Sequence, residues 1–299
     1  MSIYLLINAF KNLRDIDFRI LNAIERGMAH YEYVPVEVIA RLSGLAPEKV
    51  ENRIRSIYHL GVVQRRKGAY IGYILTTRGY DCLALNALVK RGVLKSLSTK
   101  PIGVGKESDV FEGLTYSDEI VAVKFHRLGR TSFRQTRKFR TYIGDRRHIS
   151  WLYQARLAAE REYEGLSILY PKGVAVPRPI SWNRHVVVTS FVEGIVLYEV
   201  PPLSNPEEVL GKIIKNIKKA YDIGIVHGDL SEYNVIVTPE EDCYIFDWPQ
   251  WVDRNHPSAL FLLKRDIENI VKFFKRKYRL RIEVSDYIDI LDMFSDEHG

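Results

Sequence analysis

Carboxylate and amide side chains recur at short intervals between His227 and Pro249. Asp229 is followed five residues later by Asn234, and Asp247 comes thirteen residues after that. Carboxylate and amide oxygens, completed by waters and phosphate oxygens, suit the octahedral coordination of Mg²⁺. Transfer of a phosphoryl group asks a protein mainly to position negative charge against such a metal. The spacing therefore predicts a phosphoryl-transfer site in which Asp229 orients or deprotonates the attacking hydroxyl and Asn234 and Asp247 bind the metal.

The residues on either side predict the strands and loop that position these side chains. The apolar runs 235–237 and 243–246 flank the turn-like 239–242, which predicts a hairpin with both metal ligands near its strand ends. The stretch 227–234 matches the catalytic loop of protein kinases. Gly228 stands where those kinases carry Arg, and Trp248-Pro249 where they carry Phe-Gly. The missing Arg predicts that no activation-loop phosphate regulates this site.

A second set of residues is suited to binding a nucleotide. Glycines allow the backbone to approach phosphates, and they occur in the candidate phosphate-binding stretch Gly103, Val104, Gly105, Lys106, Glu107 and Ser108. Lys124 ends Val-Ala-Val-Lys on a predicted strand, the motif whose Lys grips the α and β phosphates. An acidic residue of the helix predicted from 151 to 169 should brace Lys124; Glu162 is the first choice and Glu160 the second. Backbone groups at Thr189, Ser190, Phe191 and Val192 are predicted to read adenine.

Composition narrows the class of protein. A chain of 299 residues with 46% hydrophobic residues can bury two cores. The formal charge of +7 and pI near 9.2 favour an anionic partner. Cys82 and Cys243 lie far apart in apolar patterns, so we expect core residues in a reducing, intracellular compartment. No apolar stretch approaches the roughly 18 residues of a spanning helix, and residues 3–7 lack the features of a signal peptide, so we expect a soluble protein.

The first ninety residues predict a winged helix. Apolar residues at helical spacing mark three helices, and the strands 62–66 and 70–75 flank a turn, before a helix that Thr77 could cap. Residues 1–90 hold 13 Lys and Arg against 8 Asp and Glu. Such folds can place their third helix in a nucleic-acid groove, although they also serve as protein contacts. The candidate nucleic-acid contacts here are Arg53, Arg55, Arg65, Arg66 and Lys67.

A strongly basic stretch separates the predicted Lys124 strand from the helix that follows. Residues 127–147 hold eight Lys and Arg and one acidic residue. With little apolar content to fix it, this stretch predicts a mobile loop that is either a solvated excursion or orders on RNA, a protein or bound nucleotide. Its candidate nucleic-acid contacts are Arg130, Arg134, Arg137 and Lys138.

These features combine into an α+β chain, an N-terminal winged helix followed by a trimmed bilobal kinase-like domain. The predicted boundaries are a winged helix at 1–90, a linker at 91–101 and a kinase-like domain at 102–299. Within that domain the N-lobe runs to about 189, the hinge is 190–194 and the C-lobe is 195–299. Further helices are predicted at 206–221 and from Arg265 to Lys277. Few residues follow Asp247, so we expect this lobe to lack the helices that dock peptide substrates.

The whole chain resembles the RIO family of atypical protein kinases, and within it the subfamily with an N-terminal winged helix. The most specific matches are 103–109, 128–134, 148–153, 177–180 and 227–234 with 247–250. The resemblance implies a serine/threonine kinase and ATPase that binds ATP and Mg²⁺, with Mn²⁺ as an alternative metal, and that autophosphorylates. It further implies that Asp247 accepts the phosphoryl group transiently.

The same resemblance implies a place of action and partners. The implied role is maturation of the small ribosomal subunit, with precursor ribosomal RNA and ribosomal proteins as partners. The resemblance also implies that the protein acts in the cytoplasm, away from membranes, and is a monomer when it is not bound to the ribosome. Two other functions stay open at this point. A small-molecule kinase of the aminoglycoside type shares the His-Gly-Asp-Leu loop, and a panel of hydroxylated substrates would reveal it. An RNA-binding scaffold with a vestigial kinase fold would bind RNA without turnover.

Overall fold

The computed structural model describes residues 3–68, 70–105, 107–128 and 151–287. They form two compact units. The first contains the described residues up to 128 together with 151–156 and 183–186, and the second contains 157–182 and the residues from 187 onward. Within these described ranges no helix combines the length and apolarity that crossing a membrane requires.

The first unit begins with four helices, a small sheet and a fifth helix. The helices are α1 Ile3–Asn12, α2 Asp15–Gly27, α3 Val36–Ser43, α4 Pro47–Ile57 and α5 Thr77–Lys90; the strands are β1 Val34–Pro35, β2 Val63–Lys67 and β3 Ile71–Leu75. The antiparallel sheet has the order β1-β3-β2. Apolar residues at helical spacing, such as Ile20, Ile39 and Ile54, are buried between the helices. The predicted winged helix is therefore confirmed.

Helix α5 begins one residue earlier than its predicted cap suggested. The Thr76 hydroxyl accepts the N–H of Gly79 at 3.1 Å, so Thr76 is the N-cap and Thr77 is the first helical residue. A Cβ on Gly79 would lie 2.1 Å from the Val62 carbonyl oxygen. Only glycine lets α5 approach the wing this closely.

The rest of the first unit is an antiparallel sheet of β4 Ser96–Val104, β5 Ser108–Leu114 and β6 Ile120–His126. Strand β4 starts inside the predicted linker 91–101, because the Lys95 N–H already bonds the Leu114 carbonyl at 2.8 Å and leads the chain into the sheet. Buried and half-buried residues alternate along β5, as expected for a strand with one face inward.

The second unit supplies the remaining elements. Its helices are α6 Trp151–Leu169, of which residues 157–169 belong to this unit, α7 Pro206–Ile223 and α8 Ala259–Tyr278. Its strands are β7 Pro179–Asn183 and β8 Val186–Ser190, except for Asn183 and Val186, which belong to the first unit, and β9 Ile195–Val196, β10 Ile225–Val226, β11 Val235–Val237, β12 Cys243–Ile245 and β13 Val252–Asp253. Residues 174–178 precede β7 and form no strand, and Pro177 among them has no N–H to donate to a ladder. Helix α8 begins six residues before Arg265 and buries Ala259 and Leu263.

Two small sheets flank the predicted catalytic stretch. Strand β11 pairs antiparallel with β12 and β9, so the predicted hairpin is present. Strand β10, which precedes the stretch, pairs antiparallel with β13, which follows Pro249. Buried residues of α7 and α8, including Ile213, Ile217, Ile267 and Ile270, pack in one core with these strands. The predicted α+β class, with a winged helix before a kinase-like domain, is confirmed.

Candidate active site

The loop between β10 and β11 turns sharply at Gly228. Its φ is +79°, a left-handed conformation that disfavours any side chain. A Cβ there would also lie 2.9 Å from the Gln250 carbonyl oxygen. These two constraints account for a glycine at the position where the protein-kinase pattern has Arg.

Helix α8 holds this loop through two polar side chains. The Asp266 carboxylate accepts the N–H groups of Gly228 at 2.7 Å and Leu230 at 2.9 Å. The Asn269 amide donates to the Leu230 carbonyl at 3.0 Å. Burial raises the pKa of Asp266 to about 7, against the pull of the two N–H donors. The loop backbone on both sides of Asp229 is therefore fixed, by residues that the sequence analysis did not single out.

Asp229 projects from this fixed loop with 74% of its side chain exposed. The Arg265 guanidinium donates to the Gly228 carbonyl and lies 3.8 Å from an Asp229 carboxylate oxygen. Arg265 therefore steadies the carboxylate from one side while solvent reaches the other. This arrangement suits a group that orients an incoming hydroxyl or water.

His227 and Trp248 join the loop to the end of the hairpin. The Asp229 N–H lies 3.3 Å from His227 Nδ1, and His227 Nε2 lies 3.1 Å from the Phe246 carbonyl oxygen. The imidazole tautomer with its hydrogen on Nε2 satisfies both bonds. The His227 ring lies 4.5 Å from the ring of the buried Trp248, whose N–H bonds the Ile245 carbonyl at 3.0 Å. The Trp-Pro pair that replaces Phe-Gly thus anchors the hairpin end in the core.

The two predicted metal ligands lie together. Asn234 Nδ2 is 3.5 Å from an Asp247 carboxylate oxygen. The Ser231 hydroxyl and N–H donate to the Asn234 amide oxygen at 2.9 and 3.1 Å, which fixes the amide orientation. The Phe246 N–H bonds the Asn234 carbonyl at 2.9 Å, and Asp247 adopts a left-handed φ of +68° that turns it out of the strand direction.

The chemistry of this pair fits Mg²⁺ bound together with phosphates. Among the residues that the structure describes, no group of three or more His, Cys, Asp and Glu side chains could hold a metal without further ligands. Mg²⁺ bound to a nucleotide takes only one or two protein oxygens and completes its shell with phosphates and waters. Asp247 supplies a carboxylate oxygen, whereas the Asn234 amide oxygen accepts two bonds from Ser231 and its Nδ2 faces Asp247, so metal binding by Asn234 requires the amide to turn over.

The predicted phosphate-binding residues lie in the first unit, at the turn between β4 and β5. The Gly105 N–H bonds the Ser108 carbonyl at 2.8 Å, which closes a tight turn. Val104 pairs with Asp109 across the two strands. Lys124 is half-buried on β6 opposite Val110 of β5, so its strand lies beside the turn. Gly103 belongs to β4, Glu107 lies in the turn, and Lys106 falls outside the described residues.

The predicted hinge is only partly available to read adenine. The Ser190 N–H already bonds the Arg178 carbonyl at 2.8 Å, and the Arg178 N–H bonds the Ser190 hydroxyl at 2.9 Å. The Thr189 hydroxyl donates to the Ser190 carbonyl at 3.2 Å. The backbone groups that remain as candidates for binding adenine are those of Phe191, which is exposed, and Val192, which is half-buried.

Of the two candidate carboxylates on α6, only Glu162 lies in the interior. Glu162 is 4% exposed, whereas Glu160 is exposed. A carboxylate inside a protein needs a charged or hydrogen-bonding partner, and an exposed one does not. Burial therefore makes Glu162, and not Glu160, the carboxylate that requires such a partner.

A contact between α6 and the segment after Asp247 fixes this helix within the second unit. The indole N–H of Trp251 donates to the Arg161 carbonyl at 2.8 Å, and the Arg161 guanidinium stacks on the Trp251 ring, 3.2 Å from its centroid. Gly165 leaves room for the same ring, since a Cβ there would lie 2.8 Å from it. We call this set the α6 clamp: Arg161, Gly165 and Trp251.

The predicted nucleic-acid contacts have different surroundings. Arg53 makes a two-pronged ion pair with the fully buried Asp17, at 2.9 and 2.7 Å, so it holds α4 to α2 and does not present a phosphate-binding group. Arg66 pairs with Glu32 on the surface. Exposed positions are occupied by Arg55, Arg65 and Lys67. The other candidates, Arg130, Arg134, Arg137 and Lys138, lie outside the described residues.

Two protein families match this chain. The RIO domain model matches residues 109–287 and the model of the Rio2 N-terminal domain matches residues 10–91. The chain therefore belongs to the RIO family, and its N-terminal part matches the Rio2 N-terminal domain. Its relatives in that family include proteins named as Rio2 serine/threonine-protein kinases.

The relatives match over most of this chain. The RIO-type serine/threonine-protein kinase Rio2 of Methanocaldococcus jannaschii is 42% identical over 272 residues, which is 89% of this chain and 98% of that protein. The rio2 kinase of Dictyostelium discoideum is 37% identical over 270 residues, and the matched part is 90% of this chain but only about half, 52%, of that protein. The Chaetomium thermophilum Rio2 kinase, solved as an ADP/Mg²⁺-phosphoaspartate complex, superposes with a TM-score of 0.82 at 32% identity, covering 94% of this chain and 87% of that one.

Proposed function

We propose that this chain is a Mg²⁺-dependent serine/threonine protein kinase and ATPase that acts during maturation of the small ribosomal subunit. The observation that carries the catalytic part is the convergence of Asp229, Asn234 and Asp247 on one hydrogen-bonded loop and hairpin. Asn234 and Asp247 lie 3.5 Å apart, and Asp229 is held between two backbone N–H groups that bond Asp266.

Each residue has a distinct task in this proposal. Asn234 and Asp247 would bind the metal, which supplies positive charge against the triphosphate. Lys124 attracts the phosphates, and the turn with Gly105 and Ser108 covers them. Phe191 and Val192 bind the adenine edge through their backbone.

Asp229 orients the acceptor, which is a protein hydroxyl, a water or the Asp247 carboxylate. In the last case a carboxylate oxygen bonds the γ-phosphorus while the bond to the ADP oxygen breaks. Water then hydrolyses the acyl phosphate and releases phosphate. The phosphoaspartate named for the Chaetomium relative supports this route.

The catalytic proposal is tested at Asp229. Asp229→Asn keeps the shape of the side chain but removes its charge, so we expect phosphate release and autophosphorylation to fall about 10²–10⁴-fold while nucleotide binding, measured by calorimetry, is retained. Asp242→Asn, an exposed carboxylate on the turn of the same hairpin, is the matched control and should leave turnover unchanged. Normal turnover in Asp229→Asn would remove this residue from the mechanism.

The metal proposal is tested at Asp247. Asp247→Asn removes the charged ligand, so nucleotide affinity should fall in the presence of Mg²⁺ and change little in its absence. Calorimetric titrations with and without the metal separate the two. Equal losses under both conditions would show that Asp247 does not bind the metal.

The ribosomal part of the proposal rests on the family and on charge. The formal charge of +7 and the exposed edge of β2, with Arg65, Arg66 and Lys67, suit an RNA-rich partner in the cytoplasm. Wild-type protein should co-sediment with small ribosomal subunits in a salt-dependent manner, and Arg65→Glu with Lys67→Glu should weaken this. The exposed Lys172→Glu is the control. Failure of the wild type to co-sediment at low salt would contradict this part alone.

A further inference from the structure

A buried cluster of charged side chains, none of them among the residues assigned above, lies in the first unit. The Arg127 guanidinium contacts the Asp81 carboxylate at 2.5 and 3.2 Å and Asp109 at 3.1 Å. The His185 ring lies 2.7 Å from Asp81 and 3.2 Å from Arg127. All four residues are buried, at 0–6% exposure.

The cluster connects the winged helix to the phosphate-binding turn. Asp81 lies on α5, the last helix of the winged helix. Asp109 lies on β5, directly after Ser108. Arg127 comes three residues after Lys124, and its backbone N–H bonds the Glu107 carbonyl at 2.6 Å. Arg127 thus holds the turn twice, through the Glu107 backbone and the Asp109 side chain, and is itself held by α5.

The Arg127 guanidinium lies between two carboxylates, those of Asp81 and Asp109. Burial by itself would raise the pKa of Asp81, but the adjacent Arg127 guanidinium and the His185 ring hold it below its usual value. Burial lowers the pKa of His185 below its usual value, against the pull of the adjacent Asp81 carboxylate. A guanidinium fork can bridge two carboxylates in fixed directions, which an ammonium group cannot. Loss of one partner leaves an uncompensated charge inside the protein.

A second contact ties the winged helix to the same part of the unit. Arg184, on the turn between β7 and β8, bonds Glu25 at 2.8 and 2.6 Å and Asn22 at 2.9 Å, both on α2. The next residue, His185, stacks on Tyr80 of α5 with the ring centroids 4.8 Å apart. The winged helix is therefore joined to the sheet by directional contacts at two places.

We propose that Arg127 is a positioning residue that fixes the phosphate-binding turn against α5, so that the winged helix is a working part of the nucleotide site. The proposal rests on the nucleotide binding proposed above and adds a determinant outside the residues that touch the nucleotide. By linkage, bound nucleotide also stabilises α5.

The chain offers a closely matched control. Asp17 is another fully buried carboxylate of the winged helix that binds an arginine fork, that of Arg53, but it has no part in the Arg127 cluster. Asp81→Asn and Asp17→Asn each remove one buried charge from such a pair, and both should lower the melting temperature. Only Asp81→Asn should weaken binding of ADP with Mg²⁺, by about tenfold, and speed hydrogen exchange of the amides at 107–110. Asp17→Asn should keep ADP affinity within about twofold of the wild type.

A second variant keeps the test decisive if Asp81→Asn unfolds. Arg127→Lys retains the charge but loses the fork, so it should also weaken ADP binding about tenfold. ADP affinity equal to the wild type in Arg127→Lys, or equal losses in Asp81→Asn and Asp17→Asn, would overturn the positioning role. Failure of the wild type itself to bind ADP would overturn the proposed function as well, so the two failures are distinguishable.

Discussion

Replacing Gly228 with alanine would strain the catalytic loop, and the cost in stability can be worked out from the structure. The left-handed φ of +79° costs an L-residue roughly 1–2 kcal/mol. The new Cβ would lie 2.9 Å from the Gln250 carbonyl oxygen, so the backbone must move by a few tenths of an ångström, at a further cost of about 1 kcal/mol or more. We expect Gly228→Ala to lower the free energy of unfolding by about 2–3 kcal/mol in total.

Gly92 separates these two contributions. Its φ of +71° is close to that of Gly228, but nothing lies within 4 Å of an added Cβ. Gly92→Ala should therefore cost only the conformational part, roughly 1–2 kcal/mol. Urea unfolding of both variants gives the difference that belongs to the contact with Gln250.

Activity provides the second comparison. The shift forced at Gly228 moves Asp229, and a displacement of reacting groups near 1 Å can cost about 10²-fold in rate. We expect the turnover of Gly228→Ala to fall at least about tenfold, and that of Gly92→Ala to stay near the wild type. Equal stability losses with unchanged turnover in both variants would refute the view that this glycine sets the position of the catalytic carboxylate.

Two further predictions concern packing and pH. Gly165→Ala would place a Cβ 2.8 Å from the Trp251 ring and should lower the free energy of unfolding, measured with urea, by about 1–3 kcal/mol. Gly211→Ala is the control, because nothing lies near an added Cβ there, and it should not destabilise the protein. Similar results for the two variants would show that the Trp251 ring moves aside freely. Asp266 has a folded pKa of about 7 against an ordinary 3.8, so the folded state binds more protons between these values and stability falls as pH rises toward 7. Between pH 5 and 7 the wild type should lose about 2 kcal/mol relative to Asp266→Asn, and a pH-independent difference in unfolding free energy would contradict the raised pKa.

The local arrangement around the candidate site could be predicted from neighbouring residues. Asn234 and Asp247 are joined by a hairpin of two apolar runs around a turn, and such local patterns are visible in the residues themselves. The same holds for the helices and the wing of residues 1–90. Boundaries were less reliable: β4 begins at Ser96 inside the predicted linker, because its partner strand and not its own composition extends it.

Contacts between distant segments could not be predicted in this way. Asp266 bonds Gly228 across 38 residues and Arg127 bonds Asp81 across 46. A periodic pattern shows which face of a helix is buried, but it does not identify the polar group on the opposite element. Arg53 was assigned to nucleic acid for this reason, since its partner Asp17 lies 36 residues earlier in the chain.

The α6 clamp has a consequence for control of the enzyme. In many protein kinases the corresponding helix swings outward to switch catalysis off, carrying the glutamate that braces the lysine. Here such a swing would have to break the bond between the Trp251 indole and the Arg161 carbonyl and unstack the guanidinium from the ring. We therefore expect this kinase to have no inactive state of that kind. We expect its activity in the cell to depend instead on which acceptors bind beside Asp229.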